Sequence, residues 1–526
     1  MIRVRDLTLR PGEPEKRLKA LAAAYLRVAE SEIADCRLRR RAVDARKKSD
    51  IRLVYTVDII PKRNEEAVLR RAGERASRVS DEVYEIPRAE AAPERRPVVV
   101  GFGPAGIFAA LCLARAGLRP IVLERGQDAD RRSEDVERFR AGGALDPESN
   151  VQFGEGGAGT FSDGKLTTGI KDARIRFVLE CLHAAGADGS ILIDAKPHVG
   201  TDVLRTVVKN LRKEIVALGG EVRFGARLDD LRFENGALRA AVLSDGTELD
   251  CDRLILAIGH SARDSFEMLL RRGLPMEPKP FSMGVRIEHR QSDVDAAQYG
   301  SAALRKWLPP ADYKLSCRFP EGDSAYTFCM CPGGEVIAAA SEAGGVCTNG
   351  MSVFARDGEN ANSALLVTLT PETFPDKSPL GGMYWQRELE RRAFTAGGGD
   401  YRAPAQLAGD FLQRRPSAGP GGVAPSYRPG VTWCELHEVL PEAITKTLEK
   451  AIPALGKKLR GFDAPDAVLT APETRSSSPV RILRGADCQS AAAGIFPCGE
   501  GAGYAGGIVS AAVDGLRCAE ALIASL

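Results

Sequence analysis

Alternating apolar and polar positions define the elements of the first ninety residues. Residues 2–9, 33–43, 51–60 and 82–86 follow the two-residue period of strands, and residues 15–30 and 64–76 follow the helical period. This strand-helix-strand-strand-helix-strand order predicts a ferredoxin-like βαββαβ domain over residues 1–90. The polar, proline-containing stretch 89–96 then predicts a domain boundary.

Beyond residue 97 the pattern is that of an α/β protein interrupted by an insertion. Apolar runs alternate with helical patterns up to about residue 262, and short strands at 221–249, separated by Asn-Gly and Asp-Gly turns, predict a β-meander. From residue 275 proline and glycine become frequent. We therefore predict a Rossmann-type domain in two parts, 97–274 and 476–526, with an inserted mixed α/β cap domain over 275–475.

The most specific pattern lies at residues 97–126. The apolar run Val98–Val100 leads into the glycines of a GxGxxG turn, an Ala-rich helix follows, and a second apolar run ends on an acidic residue. An acid about 20 residues after these glycines is where a dinucleotide ribose is held. The pattern predicts dinucleotide binding by Gly101, Gly103, Pro104, Ala105, Gly106, Glu124 and Arg125.

The GxGxxG spacing recurs at residues 154–159 and 501–506, but the first copy follows no apolar strand and the second lies too near the C-terminus for a βαβ unit to follow it. One complete dinucleotide site is therefore predicted. The glycine-rich loop 154–165 brings many backbone N–H groups together, which is typical of contact with a phosphate or a ring edge; a flexible surface loop is the alternative. Cofactor contacts are predicted for Gly156, Gly157, Gly159, Thr160, Ser162 and Lys165.

Composition narrows the class of protein. The 526 residues are 44% hydrophobic with a net charge of +2, and they contain 12 cysteines and 5 scattered histidines. No apolar run reaches the roughly 18–20 residues of a membrane span, and the N-terminus lacks the apolar core of a signal peptide. We expect a cytoplasmic protein with reduced thiols and no bound metal.

These motifs together resemble the two-domain flavoproteins of the glutathione-reductase type. More narrowly, nearly the whole chain resembles an uncharacterised bacterial family of FAD-dependent, NAD(FAD)-utilising dehydrogenase-like proteins. The passages that carry the resemblance are NVQFGEGGAGTFSDGKL (150–166), FCMCPGGEV (328–336), ETRSSSPVRI (473–482) and FPCGEGAGYAGGIVSAAVDG (496–515).

The resemblance implies FAD as the cofactor. It places Glu500 on the ribityl chain, where a glutamate stands at a position that is usually aspartate. The glycines before the last helix would bring its positive end to the flavin N1/C2 carbonyl; a simple capping turn is the alternative. Further cofactor contacts are implied for Leu228, Ile258, Gly259, Gly499, Gly506, Gly507 and Ile508.

Candidates for chemistry are fewer, and each has a structural alternative. Arg475 and Arg481 flank a serine-rich stretch suited to an anionic or carbonyl substrate, or they belong to a crossover loop. His260 is a candidate acid–base group, or a structural histidine at a strand end. Cys329 and Cys331 are predicted on one face of a strand, either as packing residues or lining of a substrate pocket, or as a redox pair.

Two functions remain open from the sequence. The first is an FAD-dependent oxidoreductase that transfers hydride between an unknown organic substrate and flavin N5, with NAD(P)H as a candidate transient electron donor. The alternative is an FAD-containing protein whose basic N-terminal domain, with positive charges clustered at 37–41 and 46–48, binds RNA or a protein partner.

Overall fold

The structure is a computed structural model that describes residues 1–62, 64–79, 83–91 and 93–526. Its first part has the elements β1 (Ile2–Leu9), α1 (Arg17–Leu26), β2 (Ile33–Asp44), β3 (Arg52–Pro61), α2 (Glu65–Arg71) and β4 (Ala76–Arg78). The strands form an antiparallel sheet in the order β2-β3-β1-β4. Buried apolar residues of α1, such as Leu18 and Leu26, share a core with Val4 and Val57 of the sheet.

The last strand of this sheet lies earlier in the chain than the sequence predicts. The predicted strand 82–86 begins at Glu82, which is outside the described residues, and residues 83–86 form no strand. Instead β4 pairs with β1, Ile2 facing Arg78. Tyr84 and Ile86 pack against the core of the following part of the molecule, and Tyr84 meets Phe177 ring to ring at 5.0 Å. Their apolar character therefore reflects packing between two parts of the chain.

The second part contains two sheets and several helices. Its elements are β5 (Val98–Val100), α3 (Pro104–Arg115), β6 (Ile121–Leu123), α4 (Ala129–Arg140), α5 (Arg174–Ala184), α6 (Thr201–Ala217), β7 (Glu221–Arg223), β8 (Leu228–Glu234), β9 (Ala237–Leu243), β10 (Glu248–Asp250), β11 (Leu254–Leu256) and α7 (Arg263–Arg271). Strands β8, β9 and β10 form an antiparallel meander. Residues 221–223, predicted to open that meander, instead pair in parallel with β6.

The third part is built on a long sheet. Its elements are β12 (Met276–Pro278), β13 (Phe281–Arg290), α8 (Gln291–Tyr299), β14 (Ser316–Arg318), β15 (Ser324–Cys331), β16 (Glu335–Ala338), β17 (Thr348–Met351), β18 (Asn360–Leu369), α9 (Gly381–Gly397), β19 (Ala403–Leu407), α10 (Ala408–Leu412), β20 (Val431–Trp433), α11 (Glu442–Gly456) and β21 (Val468–Glu473). Seven of these strands pair in the order β14-β15-β18-β13-β21-β19-β20.

The chain then returns to the earlier sheet through β22 (Val480–Ile482), β23 (Ile495–Pro497) and α12 (Ile508–Ala524). The parallel sheet has the order β23-β11-β5-β6-β7, so that β23 from the end of the chain pairs with β11. The chain passes between the two sheets through β12 and again through β22, and these two strands pair with each other. Helix α12 packs so tightly on α3 that a Cβ on Gly515 would lie 2.2 Å from the Ala105 oxygen.

Within the described residues, no helix is both long enough and apolar enough to cross a membrane.

Candidate active site

A cavity of about 580 Å³ opens at the carboxyl ends of the parallel strands. Val100 at the end of β5, Leu123 at the end of β6 and Ile508 at the start of α12 line it. Residues of the long sheet complete the lining, so both sheets contribute to one site. This is the edge at which open α/β sheets bind ligands.

The cavity brings together most of the residues singled out in the sequence. Those that line it are Gly101, Gly103, Pro104, Ala105, Glu124, Arg125, Gly157, Gly159, Ser162, Lys165, Leu228, Ile258, Gly259, His260, Cys329, Arg475, Glu500, Gly506, Gly507 and Ile508. Those that do not line it are Gly106, Gly156, Thr160, Cys331, Arg481 and Gly499.

One wall of the cavity is mainly backbone. We call it the glycine wall; it comprises Gly101, Gly103, Gly157, Gly159, Gly506 and Gly507.

The glycines of this region are of two kinds. Gly101 has φ +94°, and a Cβ there would lie 2.3 Å from the Ala257 oxygen; a Cβ on Gly106 would lie 1.9 Å from the Gly101 oxygen. The fold itself therefore requires glycine at both positions. At Gly103 the nearest atom to a Cβ would be 3.7 Å away, and at Gly506 nothing lies within 4 Å. Packing within the protein leaves room for a side chain at these two positions, and they face the cavity.

Glu124 joins the two glycine-rich segments. Its carboxylate is buried and accepts hydrogen bonds from the backbone N–H groups of Phe102 at 2.7 Å, Gly126 at 2.9 Å and Gly154 at 2.9 Å. The residue predicted to hold a ribose thus also fixes the loop 154–165 beside the first turn. Oε1 accepts two of these bonds, whereas Oε2 accepts one and keeps a second lone pair that can accept a hydroxyl.

A buried arginine that the sequence did not single out holds the same loop. Arg132, on α4, is fully buried and donates to the carbonyl oxygens of Asn150, Val151, Glu155 and Gly157 at 2.7–2.9 Å. Thr160, predicted as a cofactor contact, is used internally, since its hydroxyl donates to the Glu155 carbonyl at 3.2 Å. These bonds fix the backbone of the loop against the cavity.

The N-terminus of α12 faces the cavity without a side-chain cap. Its N-cap is Gly507, which has no side chain to cap the first turn, and that turn contains no acidic residue. Free N–H groups and the positive end of a helix of 17 residues are thus presented to the cavity. The arrangement suits an anionic or carbonyl oxygen.

His260 and Glu500 form a pair in the same cavity. The imidazole Nδ1 lies 3.3 Å from Oε1 of Glu500. His260 is 8% exposed, and its Nε2 is buried without a hydrogen-bond partner among the described residues. A buried polar atom without a partner is costly. Because His260 lines the cavity, an occupant of the cavity can supply the missing partner.

The second wall consists of side chains. We call it the side-chain wall; its residues are Thr327, Phe328, Cys329, Met330, Glu473, Arg475 and Ser476.

Arg475 is held in this wall by a buried triad. Both Arg263 and Arg475 donate twice to the carboxylate of Glu390, at 2.7–2.9 Å. Burial disfavours the charge of Glu390, but the two guanidinium groups outweigh burial and hold the pKa of this carboxyl well below its ordinary range. Arg475 also donates to Ser261 at 3.1 Å. Its donors are thus largely used within the protein, which favours a positioning role over capture of a substrate anion.

Another buried arginine fixes the strand that carries the cysteines. Arg286 is completely buried and donates to both carboxylate oxygens of Glu473, at 2.9 and 3.1 Å, and to the Cys329 carbonyl at 3.0 Å. Strand β15 has a bulge between Phe328 and Cys331, and Cys329 adopts φ +43°. The prediction that both thiols lie on one face of a regular strand is therefore wrong. Cys329 lines the cavity, and Cys331 is buried.

Arg481 lies outside the cavity, contrary to the convergence predicted for residues 475–481. Its side chain is 38% exposed, pairs with Glu277 at 3.4 Å and lies over the Tyr504 ring at 5.4 Å. The reason is the pairing of β22 with β12, in which Arg481 faces Glu277. The crossover thus divides its two arginines, with Arg475 in the wall and Arg481 outside it.

Among the described residues, Cys498, Asp514 and Cys518 are close enough together to share a metal ion. The Arg484 guanidinium already occupies this cluster, since it donates to Asp514 at 2.6 and 3.0 Å and to the Cys518 sulfur at 3.1 Å. A cation at this place gives the carboxylate its counter-charge and opposes the entry of a second one. The donor set does not fit a resident metal.

The basic cluster of the N-terminal part is largely paired. Arg39 bonds to Asp58, Arg41 to Asp194 and Glu15, and Arg46 to Asp44. The bond to Asp194 ties β2 to the second part of the chain. These pairs reduce the positive charge that the cluster offers to an acidic partner.

Comparisons with known proteins bear on the same regions. Residues 280–476 match a family model described as "FAD-dependent protein, C-terminal domain-like", and residues 1–60 match a domain of unknown function. The chain is 48% identical over 527 aligned positions to an uncharacterized protein of Clostridium beijerinckii, covering 99% of this chain and 98% of that protein. The chain belongs to the family of this clostridial protein.

Solved structures resemble the chain only distantly. CtdE in complex with FAD is 10% identical, with 82% of this chain and 85% of that chain covered and a TM-score of 0.33. A glycine oxidase from Bacillus cereus is 13% identical, with 82% and 95% covered and a TM-score of 0.32. The flavin-dependent brominase Bmp2 is 13% identical, with 82% and 80% covered and a TM-score of 0.36.

Sequence reasoning missed the arginines and acids that organise the site. Arg286 carries a usable signal, because it stands inside the mostly apolar and otherwise uncharged run FSMGVRI (281–287), and a charge at such a position needs a buried partner. Arg132 and Glu390 lie in helices rich in other charged residues, where nothing in the local pattern distinguishes them.

Proposed function

We propose that the protein is an FAD-dependent oxidoreductase, with FAD along the glycine wall and the substrate beside the side-chain wall. The observation that carries the proposal is the bare backbone at Gly103 and Gly506, which faces the cavity although the protein's own packing leaves space for side chains. A ligand in close contact with the backbone explains glycine at such positions. The match of residues 280–476 to FAD-dependent proteins supports FAD as that ligand.

Each end of the cavity has groups suited to one part of FAD. The N-terminus of α3 after Gly103 would hold the pyrophosphate, and Glu124 would accept hydrogen bonds from the adenosine ribose. Glu500 would lie along the ribityl chain. The uncapped start of α12 would stabilise negative charge on the flavin ring. FAD bound in this way would supply two-electron redox chemistry, with hydride exchanged between an organic substrate and flavin N5.

The proposal assigns a role to each part of the chain. Residues 97–274 and 476–526 would form the Rossmann-type FAD-binding domain, and residues 275–475 would cap the cavity and shield it from water. The strand order β2-β3-β1-β4 supports a ferredoxin-like domain for residues 1–90. A nicotinamide donor would bind transiently, because one βαβ unit with a complete GxGxxG turn occurs in the sequence.

Spectroscopy of the purified protein tests the proposal directly. We expect flavin absorbance, and chromatography of the heat-released cofactor should identify FAD rather than FMN. Anaerobic addition of NADH or NADPH should bleach the flavin if either is the electron donor. A colourless protein that takes up no FAD would contradict the proposed function, whereas bound FAD that neither nucleotide bleaches would point to another reductant.

A further inference from the structure

We propose that Cys329 and Cys331 form a thiol pair that reduces a low-molecular-weight disulfide entering the cavity. This inference goes beyond the proposed function, because the exchange uses only the chain's own thiols. It assigns a further activity to the side-chain wall, with small disulfides as the class of substrate.

The bulge in β15 places the two sulfurs differently. From Phe328 to Cys331 the strand advances three residues while its partner β18 advances two, from Ala364 to Asn362. The additional residue turns Cys329 into the cavity, where it is partly exposed, while Cys331 remains buried. Bulges beside functional sites commonly redirect a side chain in this way. An entering molecule can thus reach one thiol directly, with the second next to it.

The bulge is held by buried groups. The Cys329 carbonyl accepts hydrogen bonds from Arg286 at 3.0 Å and from the Cys331 thiol at 3.2 Å. Arg286 is fixed in turn by Glu473 and by Asn362 at 3.0 Å. A non-glycine residue with φ +43° is an uncommon conformation that costs free energy and clusters at functional sites. The surrounding bonds maintain it here.

Charge around the pair favours a thiolate on the accessible cysteine. The neighbouring Cys331 side chain lowers the pKa of Cys329; burial opposes this effect, Lys165 and Arg286 add to it, and Asp163 opposes it. The Cys329 side chain, together with burial, raises the pKa of Cys331. The attacking group of a thiol–disulfide exchange is a thiolate. The accessible cysteine is therefore the nucleophile and the buried one the resolving thiol.

The spacing permits the pair to close. In a strand, the Cα atoms of two residues with one residue between them lie about 6.6 Å apart, which is within the upper limit of about 6.8 Å for a disulfide. The bulge compresses this span, because three steps on β15 face two steps on β18. A bond between Cys329 and Cys331 therefore requires no large movement of the sheet.

The reaction balances without an additional oxidant. The Cys329 thiolate attacks one sulfur of the substrate, the substrate S–S bond breaks, and the first thiolate leaves. Cys331 loses its proton to solvent and attacks the Cys329 sulfur, which forms the Cys329–Cys331 bond and releases the second thiolate. The two cysteines together lose two electrons, and the two released thiolates carry them.

The test uses the full-length protein with its bound cofactor and 5,5′-dithiobis(2-nitrobenzoate) as the small disulfide. Trypsin digestion without reduction yields the peptide 319–356, which contains Cys329, Cys331 and Cys347. We expect this peptide to lose its two thiol hydrogens, and fragmentation should place the new bond between Cys329 and Cys331. The fast phase should release about two equivalents of thionitrobenzoate per modified pair.

Serine variants separate the two roles. Cys331→Ser should retain one thionitrobenzoate group on Cys329, because no resolving thiol remains. Cys329→Ser should slow modification of this peptide on the order of 100-fold, because Cys331 is buried. Cys317→Ser, which changes a partly exposed thiol outside the cavity, serves as the control and should react like the unchanged protein.

The outcomes distinguish this inference from the proposed function. A native peptide with free or separately modified thiols, or a bond that involves Cys347 instead, overturns the inference even if FAD is bound. Flavin absorbance of the same samples reports the proposed function separately. Because the peptide from the unchanged protein already decides the question, the test does not depend on the folding of either variant.

Discussion

The two walls of the cavity are built in different ways. In the glycine wall the backbone itself faces the cavity, and its positions come from short stretches close in sequence, such as Gly101 to Gly103 and Gly157 to Gly159. In the side-chain wall, Arg475 is positioned by Glu390, 85 residues away, and Glu473 by Arg286, 187 residues away. One wall therefore depends on local geometry, and the other depends on long-range ion pairs.

This difference indicates which kind of ligand each wall can bind. Backbone N–H groups and helix ends are fixed in number and suit a constant ligand such as a cofactor. Side chains held by buried ion pairs can be replaced in evolution while the surrounding backbone is kept. We therefore expect the residues that contact the substrate to lie on the side-chain wall. Variants of the two walls should accordingly fail in different ways, the first through loss of the cofactor and the second through loss of stability or reactivity.

Gly103→Val should produce the largest effect, an essentially colourless protein. A Cβ at this position meets only Gly157 Cα, at 3.7 Å, so the fold should tolerate the change while the valine side chain enters the space proposed for the pyrophosphate. The measurement is the ratio of flavin to protein absorbance after purification.

Gly419→Val is the matched control, since nothing lies within 4 Å of a Cβ there and the residue is not part of the cavity. It should retain its flavin. A Gly103→Val protein with full flavin content would remove the backbone approach from the proposed function.

Glu390→Ala should mainly destabilise the protein. It leaves Arg475 without its charged partner, and Arg263 retains only Glu342. Removal of one partner from a buried ion pair typically costs about 3–5 kcal/mol of the free energy of unfolding. Urea denaturation followed by circular dichroism measures this loss.

Glu388→Ala provides the comparison on the same helix, because Glu388 is exposed. It should unfold close to the unchanged protein. Equal stability of the two variants would show that the triad contributes little to the side-chain wall.

The sequence predicts the glycine wall well because its signals are local. The parallel strands β5, β6 and β11, the turn at 101–106 and the start of α12 follow from apolar runs and glycines a few residues apart. The side-chain wall was harder to predict from the sequence. Glu390 is buried between Arg263 and Arg475, and these three residues come from separate parts of the chain. The bulge at Cys329 was missed for a related reason: strand alternation gives no sign of an extra residue, and the bonds that hold it come from β13.

His260→Phe should have an intermediate effect. The change keeps a ring in the pocket but removes the buried Nε2 and the contact of Nδ1 with Glu500. If FAD supplies the missing partner, its affinity should fall by about 1–3 kcal/mol, roughly 5- to 150-fold in Kd. Titration of the flavin-free protein with FAD measures this change. The exposed His183, changed in the same way, should leave the Kd unaltered; an unchanged Kd for His260→Phe would exclude a bond to FAD.

Arg481→Ala should have the smallest effect, and this variant tests where the side-chain wall ends. Arg481 pairs with Glu277 on a partly exposed surface, at 3.4 Å, and exposed pairs of this kind contribute at most roughly 1 kcal/mol. Because its side chain lies over Tyr504 and outside the cavity, flavin content and the rate of flavin reduction should match the unchanged protein. Spectra and anaerobic stopped-flow traces of both proteins provide the comparison. A slowed reduction with intact stability would return Arg481 to the site and show that the wall extends along β22.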